Sequence, residues 1–341
     1  GTLGFIAEVT FRTLEEPGHK ATGLMLFPDI ARACEAVWLL KECQVSAAEL
    51  MDRVALKSVE NKPGMPDYIK TLGPTVTALL VETAASDQQT LEQQVAEINA
   101  KFSEFPMAHE FEFSTDPVQA ANLWNIRSGL FPSACIGREK GTTVIIEDIA
   151  VPIEHLRNCL LDLQALFEAY GYKNTIIWGH VFDGNVHFVL TPDFGDTAEI
   201  ARYKAFMDEI VALVVDKYDG SLKAEHGTGR NMAPFVRWEW GERIYTIMQK
   251  IKALFDPHGL LNPGVIINDD PEAHIKNFKL MPAAHDLVDT CIECGFCERN
   301  CMSHDFTLSA RQRIVIYRQM ARLTATGQDL TQLNTLQKAF A

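Results

Sequence analysis

Two periodicities of apolar residues alternate along most of the chain. Alternation of apolar and polar residues predicts β-strands, whereas apolar residues spaced three and four apart predict helices. The predicted strands are residues 4–12, 21–27, 75–82, 109–113, 142–149, 175–181 and 185–190. The predicted helices are residues 29–42, 88–101, 116–130, 153–170, 197–217 and 241–255. Asp29 is the predicted N-cap of the first helix.

These elements form two related strand–helix–strand units that we expect to share one sheet. This order predicts an α+β sandwich of ferredoxin-like plan, with the helices on one face of the sheet. Residues 268–284 are rich in Asp, Pro and Ala and predict a linker. A cysteine run and two helices rich in Arg and Gln follow the linker.

Length and composition restrict the class of protein. A chain of 341 residues that is 47% hydrophobic can bury a full core and suggests two or three domains. The net charge of −14 argues against nucleic-acid binding, because phosphates would be repelled. No apolar stretch approaches the length of a membrane span, and no signal peptide is visible.

The most specific motif is the run Cys291, Cys294, Cys297 and Cys301, spaced C-x-x-C-x-x-C-x-x-x-C. Thiolates at this spacing typically bind one [4Fe–4S] cluster. A structural zinc site is the alternative, but zinc ribbons separate two C-x-x-C pairs by a longer loop. Met302 stands where the bacterial ferredoxin run usually has Pro. The run normally occurs in pairs, so its single copy predicts half of a two-cluster electron-transfer module.

Four further cysteines lie in apolar or helical surroundings, which predicts buried free thiols. They are Cys34, Cys43, Cys135 and Cys159. A reducing cytoplasm suits both sets of cysteines.

Residues 179–188 read G-H-V-F-D-G-N-V-H-F. Asp183-Gly184 between β-type residues predicts a hairpin with a two-residue type I′ turn. In that register His180 faces His187, with Cβ atoms roughly 4.5–5.5 Å apart on one side of the sheet. Two imidazoles so placed can bind one divalent ion. A histidine pair satisfied by backbone groups is the alternative.

A second segment, residues 224–230, reads A-E-H-G-T-G-R. It offers the carboxylate of Glu225 and the imidazole of His226 beside glycines that let the backbone approach a ligand closely. Two His and one carboxylate make a three-ligand site with open positions for substrate, typical of Zn, Mn or Fe(II). A plain loop before a helix at Met232 is the alternative, because only the fold can bring the two segments together.

Three charged residues before this site leave their roles open. Arg127 lies among apolar residues near a predicted helix end, where it can hold a substrate carboxylate. An ordinary cation at a helix C-terminus is the alternative. Glu147 and Asp148 end a predicted strand and either support a site or lie in a solvated turn.

Several phrases together resemble the flavin-dependent D-2-hydroxyacid dehydrogenases of the vanillyl-alcohol-oxidase type. They are G-T-L-G at 1–4, W-N-I-R at 124–127, residues 179–187, E-H-G at 225–227 and L-L-N-P-G at 260–264. The subgroup with a fused iron–sulfur module, D-lactate dehydrogenase-like, is closer still. The phrases similar to that subgroup are G-L-F-P at 129–132, G-T-T-V-I-I-E-D at 141–148, the cysteine run, and L-S-A-R-Q-R at 308–313.

The resemblance implies a metal site and a catalytic base. The implied ligands of a divalent metal (Zn, Mn or Fe) are His180, His187 and Glu225, and the implied base is His226.

The resemblance also implies residues that contact substrate and flavin. Arg127 would hold the substrate carboxylate, and Asn185 would line the substrate pocket. Asn262 and Gly264 would lie near the flavin, although Asn262 can equally be a turn residue before Pro263.

The family plan implies four segments. Residues 1–20 would end an FAD-binding domain, 21–267 would be the FAD-linked oxidase C-terminal substrate domain, and 268–284 the linker. Residues 285–341 would begin a helical, ferredoxin-type [4Fe–4S] domain. Gly1 is not an initiator and no glycine-rich dinucleotide loop occurs. We therefore expect a fragment whose FAD is bound largely by a missing N-terminal domain and which lacks the second cysteine run.

The implied reaction is oxidation of D-lactate to pyruvate by hydride transfer to FAD rather than NAD. Electrons would then pass through [4Fe–4S] clusters to a quinone or cytochrome-type acceptor. D-2-hydroxyglutarate or glycolate are alternative substrates, and Lys140 or Arg138 can supply the second cation that a dicarboxylate needs. A non-catalytic electron-transfer subunit is an alternative of another class. The expected location is the cytoplasm, either free or peripherally at the inner face of the membrane.

Overall fold

The computed structural model describes residues 1–136, 138–327 and 329–340, and it leaves the side chains of 134–136 and 340 undescribed. The expectation for the Cys135 thiol therefore falls outside the described side chains. The chain divides into two compact units. The first unit consists of Gly1–Ser128, Ile146–Val189 and Arg202–Lys276, and the second of Gly129–Ile145, Leu190–Ala201 and Asn277–Ala341.

The described residues form a seven-stranded sheet at the centre of the first unit. Its strands are β1 (His19–Phe27), β2 (Ala47–Met51), β3 (Thr77–Ala85), β4 (Phe113–Ser114), β5 (Ile145–Ala150), β6 (Ile177–His180) and β7 (Asn185–Leu190). Their order across the sheet is β4-β1-β3-β2-β6-β7-β5. β1 and β3 pair antiparallel along their whole length, from His19 opposite Ala85 to Phe27 opposite Thr77.

The helices in the first half are α1 (Ile30–Lys41), α2 (Arg53–Val59), α3 (Gln88–Phe102), α4 (Pro117–Ser128) and α5 (Leu130–Ile136). Those that follow are α6 (Ile153–Ala169), α7 (Thr197–Val211), α8 (Val236–Phe255), α9 (Asp286–Asp289), α10 (Ala310–Thr326) and α11 (Leu330–Phe340). A π-helical turn, Ala212–Lys217, extends α7. Gly241, with φ of 71°, kinks α8.

Most predicted elements are confirmed within a few residues at their ends, but the predicted strand 109–113 is replaced by the two-residue β4, Phe113–Ser114. Asp29 caps α1 by accepting the backbone N–H of Arg32 at 2.8 Å. The two predicted Arg/Gln-rich helices are α10 and α11. The predicted buried thiols of Cys34, Cys43 and Cys159 are buried and free.

Two predictions about strands are wrong. Residues 4–12 form no strand. Phe5 and Phe11 are 79% and 81% exposed, so the apolar side chains of this segment do not pack against a core that would stabilise a strand. β2 was not predicted, because its sequence A-A-E-L-M lacks β-branched residues. Its place between β3 and β6 provides partners on both edges, and this pairing outweighs its weak intrinsic preference.

The expectation of helices on one face only is also wrong. Thr83 of β3 points to one face, where its hydroxyl donates to Gln94 of α3 at 2.8 Å. Glu82, the residue before Thr83, points to the other face and accepts the indole N–H of Trp124 of α4 at 2.9 Å. Because successive side chains alternate in a strand, α3 and α4 cover opposite faces of the sheet.

None of the helices that the structure describes is both long and apolar enough to cross a bilayer.

Asp52, the residue after β2, generates a prediction about pH. It caps α2 by accepting the N–H of Ala55 at 2.7 Å, and burial raises the pKa of its carboxyl to about 7. The folded state thus binds this proton more tightly than the unfolded chain. The associated stability is present below about pH 4 and is lost as pH rises towards 7. We expect Asp52→Asn to abolish this loss, raising the unfolding free energy at pH 8 by on the order of 2–4 kcal/mol relative to the unchanged protein.

Urea unfolding at pH 5 and pH 8 measures this difference. The matched control is Asp87→Asn, because exposed Asp87 caps α3 in the same way but its hydrogen bonds to Thr90 lower its pKa. That variant should gain no stability between pH 5 and pH 8. An equal pH dependence of Asp52→Asn and the unchanged protein would contradict the assignment.

Candidate metal and substrate site

The connection between β6 and β7 differs from the predicted two-residue turn. Trp178, rather than His180, lies opposite His187. The connection includes a 3-10 turn, Val181–Asp183, and Gly184 with φ of 64°. A Cβ on Gly184 would lie 1.9 Å from the carbonyl oxygen of Val151, so only glycine fits there. Val181–Gly184 therefore connect the strands where two residues were predicted, and the register shifts by two residues.

The shift does not separate the two histidines. Side chains alternate between faces with a period of two, so a slip of two residues leaves each one on its original face. The ring centroids of His180 and His187 are 5.4 Å apart, with their planes 85° apart. The predicted pairing is therefore wrong in register, while the predicted proximity of the imidazoles is confirmed.

Four neighbouring strands, β2, β6, β7 and β5, carry a row of side chains across one face of the sheet. Glu49 lies directly opposite His180, and its Oε1 is 2.6 Å from His180 Nδ1. His187 follows on β7, and its Nδ1 lies 3.3 Å from Asp148 Oδ1. The row therefore reads carboxylate, imidazole, imidazole, carboxylate. We call these four residues the sheet row.

Glu225 reaches the centre of the sheet row. Its Oε1 lies 3.1 Å from Nε2 of His180 and 3.1 Å from Nε2 of His187. The structure thus brings together all three metal ligands predicted from the sequence, although they come from two strands and a distant loop.

This donor set fits a divalent metal. The hydrogen bond of His180 Nδ1 to Glu49 leaves its Nε2 with a lone pair directed at Glu225 Oε1, and His187 Nε2 lies at the same 3.1 Å from that oxygen. A carboxylate oxygen and imidazole lone pairs repel at these distances unless a proton or a cation lies between them. The hydrogen bond to Glu49, opposed by burial, raises the pKa of His180. Two imidazole nitrogens and one carboxylate suit Zn, Mn or Fe(II) and leave positions for a substrate oxygen.

His226 lies beside this centre. Its ring stacks on His187, with centroids 4.7 Å apart and planes 11° apart, and its Nε2 is 3.9 Å from Glu225 Oε1. Burial lowers the pKa of His226. One ligand atom each from Asp148, His187, Glu225 and His226 also fall within 4.8 Å of one another. A neutral imidazole next to the ligand cluster is suited to accept a proton.

Asp148 is held in the ionised form. Burial raises its pKa, but His187, the backbone N–H groups of His226 and Glu225, and the amide of Asn185 together lower it well below its usual range. The alternative of a solvated turn for Glu147 and Asp148 is wrong, because both side chains are fully buried.

Arg127, near the end of α4, contacts the opposite end of the sheet row. Its Nε and Nη2 each lie 2.7 Å from Glu49 Oε2. Both partners are largely buried, with side-chain exposures of 13% and 8%. Arg127 is therefore more than a helix-end cation. Its role in holding a substrate carboxylate stays a prediction.

Asn185 is buried beneath the site. Its Nδ2 donates to Asp148 Oδ1 at 2.5 Å and to the carbonyl of Ile149 at 3.0 Å. Its Oδ1 is buried without a hydrogen-bond partner among the described residues. The amide thus supports Asp148, and its predicted contact with substrate stays untested.

Asn262 and Gly264 lie in the turn that follows α8. Asp256 accepts the N–H groups of Leu260 and Leu261 at 2.9 and 2.8 Å and fixes this turn. Asn262, with φ of 44°, lies 3.3 Å from the hydroxyl of Thr2. The segment is therefore an ordered turn near the first residues of the chain, and contact with a flavin stays a prediction for both residues.

The two cations suggested for a dicarboxylate are engaged within the second unit. Arg138 Nη2 donates to the carbonyls of Asp289 at 2.7 Å and Cys291 at 3.2 Å. Lys140 pairs with Asp286 at 2.6 Å. Arg138 thus connects its own segment to the start of the cysteine run, whereas the Lys140–Asp286 pair is exposed and contributes little.

The cysteine run lies in the second unit as a tightly wound loop. Glu293 and Gly295 have positive φ of 61° and 85°. Backbone N–H groups donate to the sulfurs of Cys291 and Cys301 at 3.4 Å. Hydrogen bonds, first from Ser303, lower the pKa of Cys301 to about 7. Sulfurs that accept N–H groups are compatible with cluster binding, and the predicted iron–sulfur ligation stays a prediction.

Sequence reasoning missed the role of Glu49. The signal was present, since Glu49 is the single charge within the apolar run 45–51. A charge in such a run is buried only when it is paired. Its partner could not be identified, because β2 was not predicted.

The sheet and its histidine–carboxylate cluster define a mixed α/β domain with a site for small-molecule chemistry. Residues 16–266 match the family described as FAD linked oxidases, C-terminal domain. Because this match covers more than half of the chain, the chain belongs to that FAD-linked oxidoreductase family. The resemblance stated from the sequence is confirmed.

Similar proteins include several 2-hydroxyacid enzymes. D-lactate dehydrogenase [cytochrome], mitochondrial, of Arabidopsis thaliana is 28% identical over 272 residues, covering 78% of this chain and 46% of that protein. D-2-hydroxyglutarate dehydrogenase of Stutzerimonas stutzeri is 28% identical over 269 residues, covering 78% and 56%. Glycolate oxidase subunit GlcD of Bacillus subtilis is 27% identical, covering 81% and 57%. The chain thus spans about half the length of these relatives.

A solved structure of 4-ethylphenol oxidase from Gulosibacter chungangensis has the same fold. Its TM-score is 0.52 at 14% identity, covering 74% of this chain and 55% of that one.

The geometry of Glu225 generates a prediction about metal content. Removing its carboxylate leaves two imidazoles, so we expect Glu225→Ala to weaken divalent-metal binding at least about tenfold. Elemental analysis after dialysis against Mn²⁺ or Zn²⁺ measures it. Glu242→Ala, which removes a 69% exposed glutamate of α8, is the control and should keep its metal. Equal metal in both variants would refute the assignment of Glu225.

Proposed function

We propose that this chain provides the substrate- and metal-binding part of a flavin-dependent D-2-hydroxyacid dehydrogenase, with D-lactate as the first candidate substrate. The observation that carries the proposal is the convergence of His180 Nε2, His187 Nε2 and Glu225 Oε1, with Arg127 and His226 on either side. A hydroxy acid needs these three functions together: an anion-binding cation, a site for its hydroxyl oxygen and a base.

His180, His187 and Glu225 would hold the divalent metal, which as a Lewis acid lowers the pKa of a bound hydroxyl group. FAD, which the family uses, is the hydride acceptor in this proposal. The chain's own residues then bind, orient and deprotonate the substrate.

Arg127 would bind the substrate carboxylate. Glu49 accepts the N–H of Nε and one N–H of Nη2, which fixes the plane of the guanidinium. The N–H groups that Glu49 does not accept, on Nη1 and Nη2, then have fixed directions. A preoriented guanidinium loses less entropy when it binds a carboxylate in a two-bond fork.

His226 would accept the hydroxyl proton. Burial lowers its pKa, so its imidazole is neutral near pH 7 and has a lone pair available. Stacking on His187 holds the ring next to a metal ligand, where the hydroxyl group would be bound.

The cysteine run supports an electron-transfer role. We infer that Cys291, Cys294, Cys297 and Cys301 take part in [4Fe–4S] ligation and that electrons pass on to a quinone or cytochrome-type acceptor. A cytoplasmic location, free or at the membrane surface, suits these reduced thiols. The C-x-x-C-x-x-C-x-x-x-C spacing favours this role over a structural zinc site, and the N–H···S contacts of Cys291 and Cys301 are compatible with either.

Anaerobic reduction of the flavin in the FAD-loaded holoenzyme tests the substrate. We expect D-lactate to bleach the flavin absorbance faster than D-2-hydroxyglutarate, since Arg138, a suggested second cation, is engaged by the carbonyls of Asp289 and Cys291. Glycolate is the control for the methyl group of lactate, and L-lactate is the control for the configuration at C2. Faster reduction by D-2-hydroxyglutarate would replace D-lactate as substrate. No reduction by any of these acids would favour the non-catalytic electron-transfer subunit.

Replacing the proposed base separates chemistry from metal binding. We expect His226→Ala to retain its metal and to slow flavin reduction about 10²–10⁴-fold, the usual contribution of a general base. His109→Ala, which removes an exposed imidazole stacked on Tyr68 in the same unit, should reduce flavin normally. Undiminished reduction in His226→Ala would remove this residue from the mechanism.

A further inference from the structure

Glu147 and Asp148 are consecutive residues of β5, and both are carboxylates with 0% exposure. Burying a charge is costly unless it is paired and hydrogen-bonded. Both residues find their partners in one segment, residues 223–231, which carries Glu225 and His226. We call this segment the ligand loop.

Glu147 binds the two ends of the ligand loop. Its Oε2 lies 2.8 Å from Lys223 Nζ, and its Oε1 accepts the amide of Asn231 at 2.6 Å. Asn231 in turn accepts the hydroxyl of Tyr203 at 3.1 Å. One buried carboxylate therefore sets the distance between the first and last residues of the loop.

Asp148 binds the middle of the ligand loop. Its Oδ2 accepts the backbone N–H groups of Glu225 at 2.7 Å and His226 at 2.8 Å. Its Oδ1 accepts the amide of Asn185 at 2.5 Å, and His187 Nδ1 lies 3.3 Å away without hydrogen-bond geometry. Three of the roughly four lone-pair positions of this carboxylate are thus occupied by donors. Asp148 is therefore better suited to hold the ligands in place than to act as a ligand.

Among the described residues, few other bonds fix the backbone of the loop beside the metal site. Residues 224–227 are exposed and lie in no helix or strand. Gly227 and Gly229 have φ of 73° and 61°, and a Cβ on Gly227 would meet no atom within 4 Å. The backbone position of Glu225 therefore depends chiefly on the bonds to β5, while its carboxylate contacts the two histidines.

We propose that Glu147 and Asp148 are positioning residues that fix the ligand loop from beneath and so set the affinity of the metal site. This inference rests on the proposed metal site. It predicts that metal affinity depends on two residues that do not bind the metal.

Mn²⁺ titration monitored by electron paramagnetic resonance tests the proposal. We expect Asp148→Asn to raise the Kd for Mn²⁺ about 10–100-fold, the usual effect of losing a group that orients metal ligands. The amide places an NH2 group against donors and carries no charge. Glu147→Gln keeps the bond to Asn231 but loses the ion pair with Lys223, so its Kd should rise about tenfold or less.

Hydrogen exchange provides a second readout that needs no metal. The amides of Glu225 and His226 should exchange faster in Asp148→Asn, while those of β1 and β3 should not change. Asp52→Asn is the matched control, because it makes the same change in a buried carboxylate that caps α2 and, among the described residues, has no hydrogen bond to the ligand loop. It should leave both the Kd and the loop exchange unaltered.

The outcomes separate this inference from the proposed function. If the unchanged protein binds no Mn²⁺, or Glu225→Ala binds it equally well, the metal site itself is wrong. If Glu225→Ala loses Mn²⁺ while Asp148→Asn keeps the original Kd, the positioning role is wrong. Weaker binding with unaltered exchange would make Asp148 a direct ligand and would also overturn the proposal. Should Asp148→Asn fail to fold, Glu147→Gln is judged by the same two measurements.

Discussion

The alignment of side chains across β2, β6, β7 and β5 is the constraint on which the site depends. Neighbouring strands lie about 4.8 Å apart, so one residue per strand gives a row with spacing close to that needed for hydrogen bonds between adjacent side chains. In the sheet row this spacing puts a carboxylate beside each imidazole. Glu49 hydrogen-bonds to His180 Nδ1, and the Nε2 atoms of both histidines lie 3.1 Å from Glu225 Oε1. The sheet thereby orients His180 through its carboxylate partner before any ligand is bound.

This row also shows which parts of the site could be predicted. His180 and His187 stand seven residues apart around a turn signal, so local pattern alone brought them together. Even a register wrong by two residues preserved their shared face. Glu225 could be proposed as a third ligand because His226 and two glycines follow it in an unusual loop. Its contact with the histidines depends on long-range folding, which a local sequence pattern cannot predict.

The elements that were missed are those set by partners distant in sequence. β2 has a composition that favours a helix, and only its two neighbours in the sheet make it a strand. Without β2, Glu49 could not be placed beside His180, nor Arg127 beside Glu49. For residues 4–12 a strand was predicted that does not form. Their alternating pattern is good, but among the described residues no sheet strand pairs with them. Pairing, more than intrinsic preference, decided both cases.

The pairing of β6 with β7 restricts which changes the site can tolerate. Val181–Asp183 and Gly184 bring the second strand back with His187 on the same face as His180. Any change that slipped this pairing by one residue would turn His187 to the far side of the sheet and its neighbours with it. A slip of two residues would keep the face. The register of this hairpin is therefore under a parity constraint, so that odd slips destroy the site and even ones can preserve it.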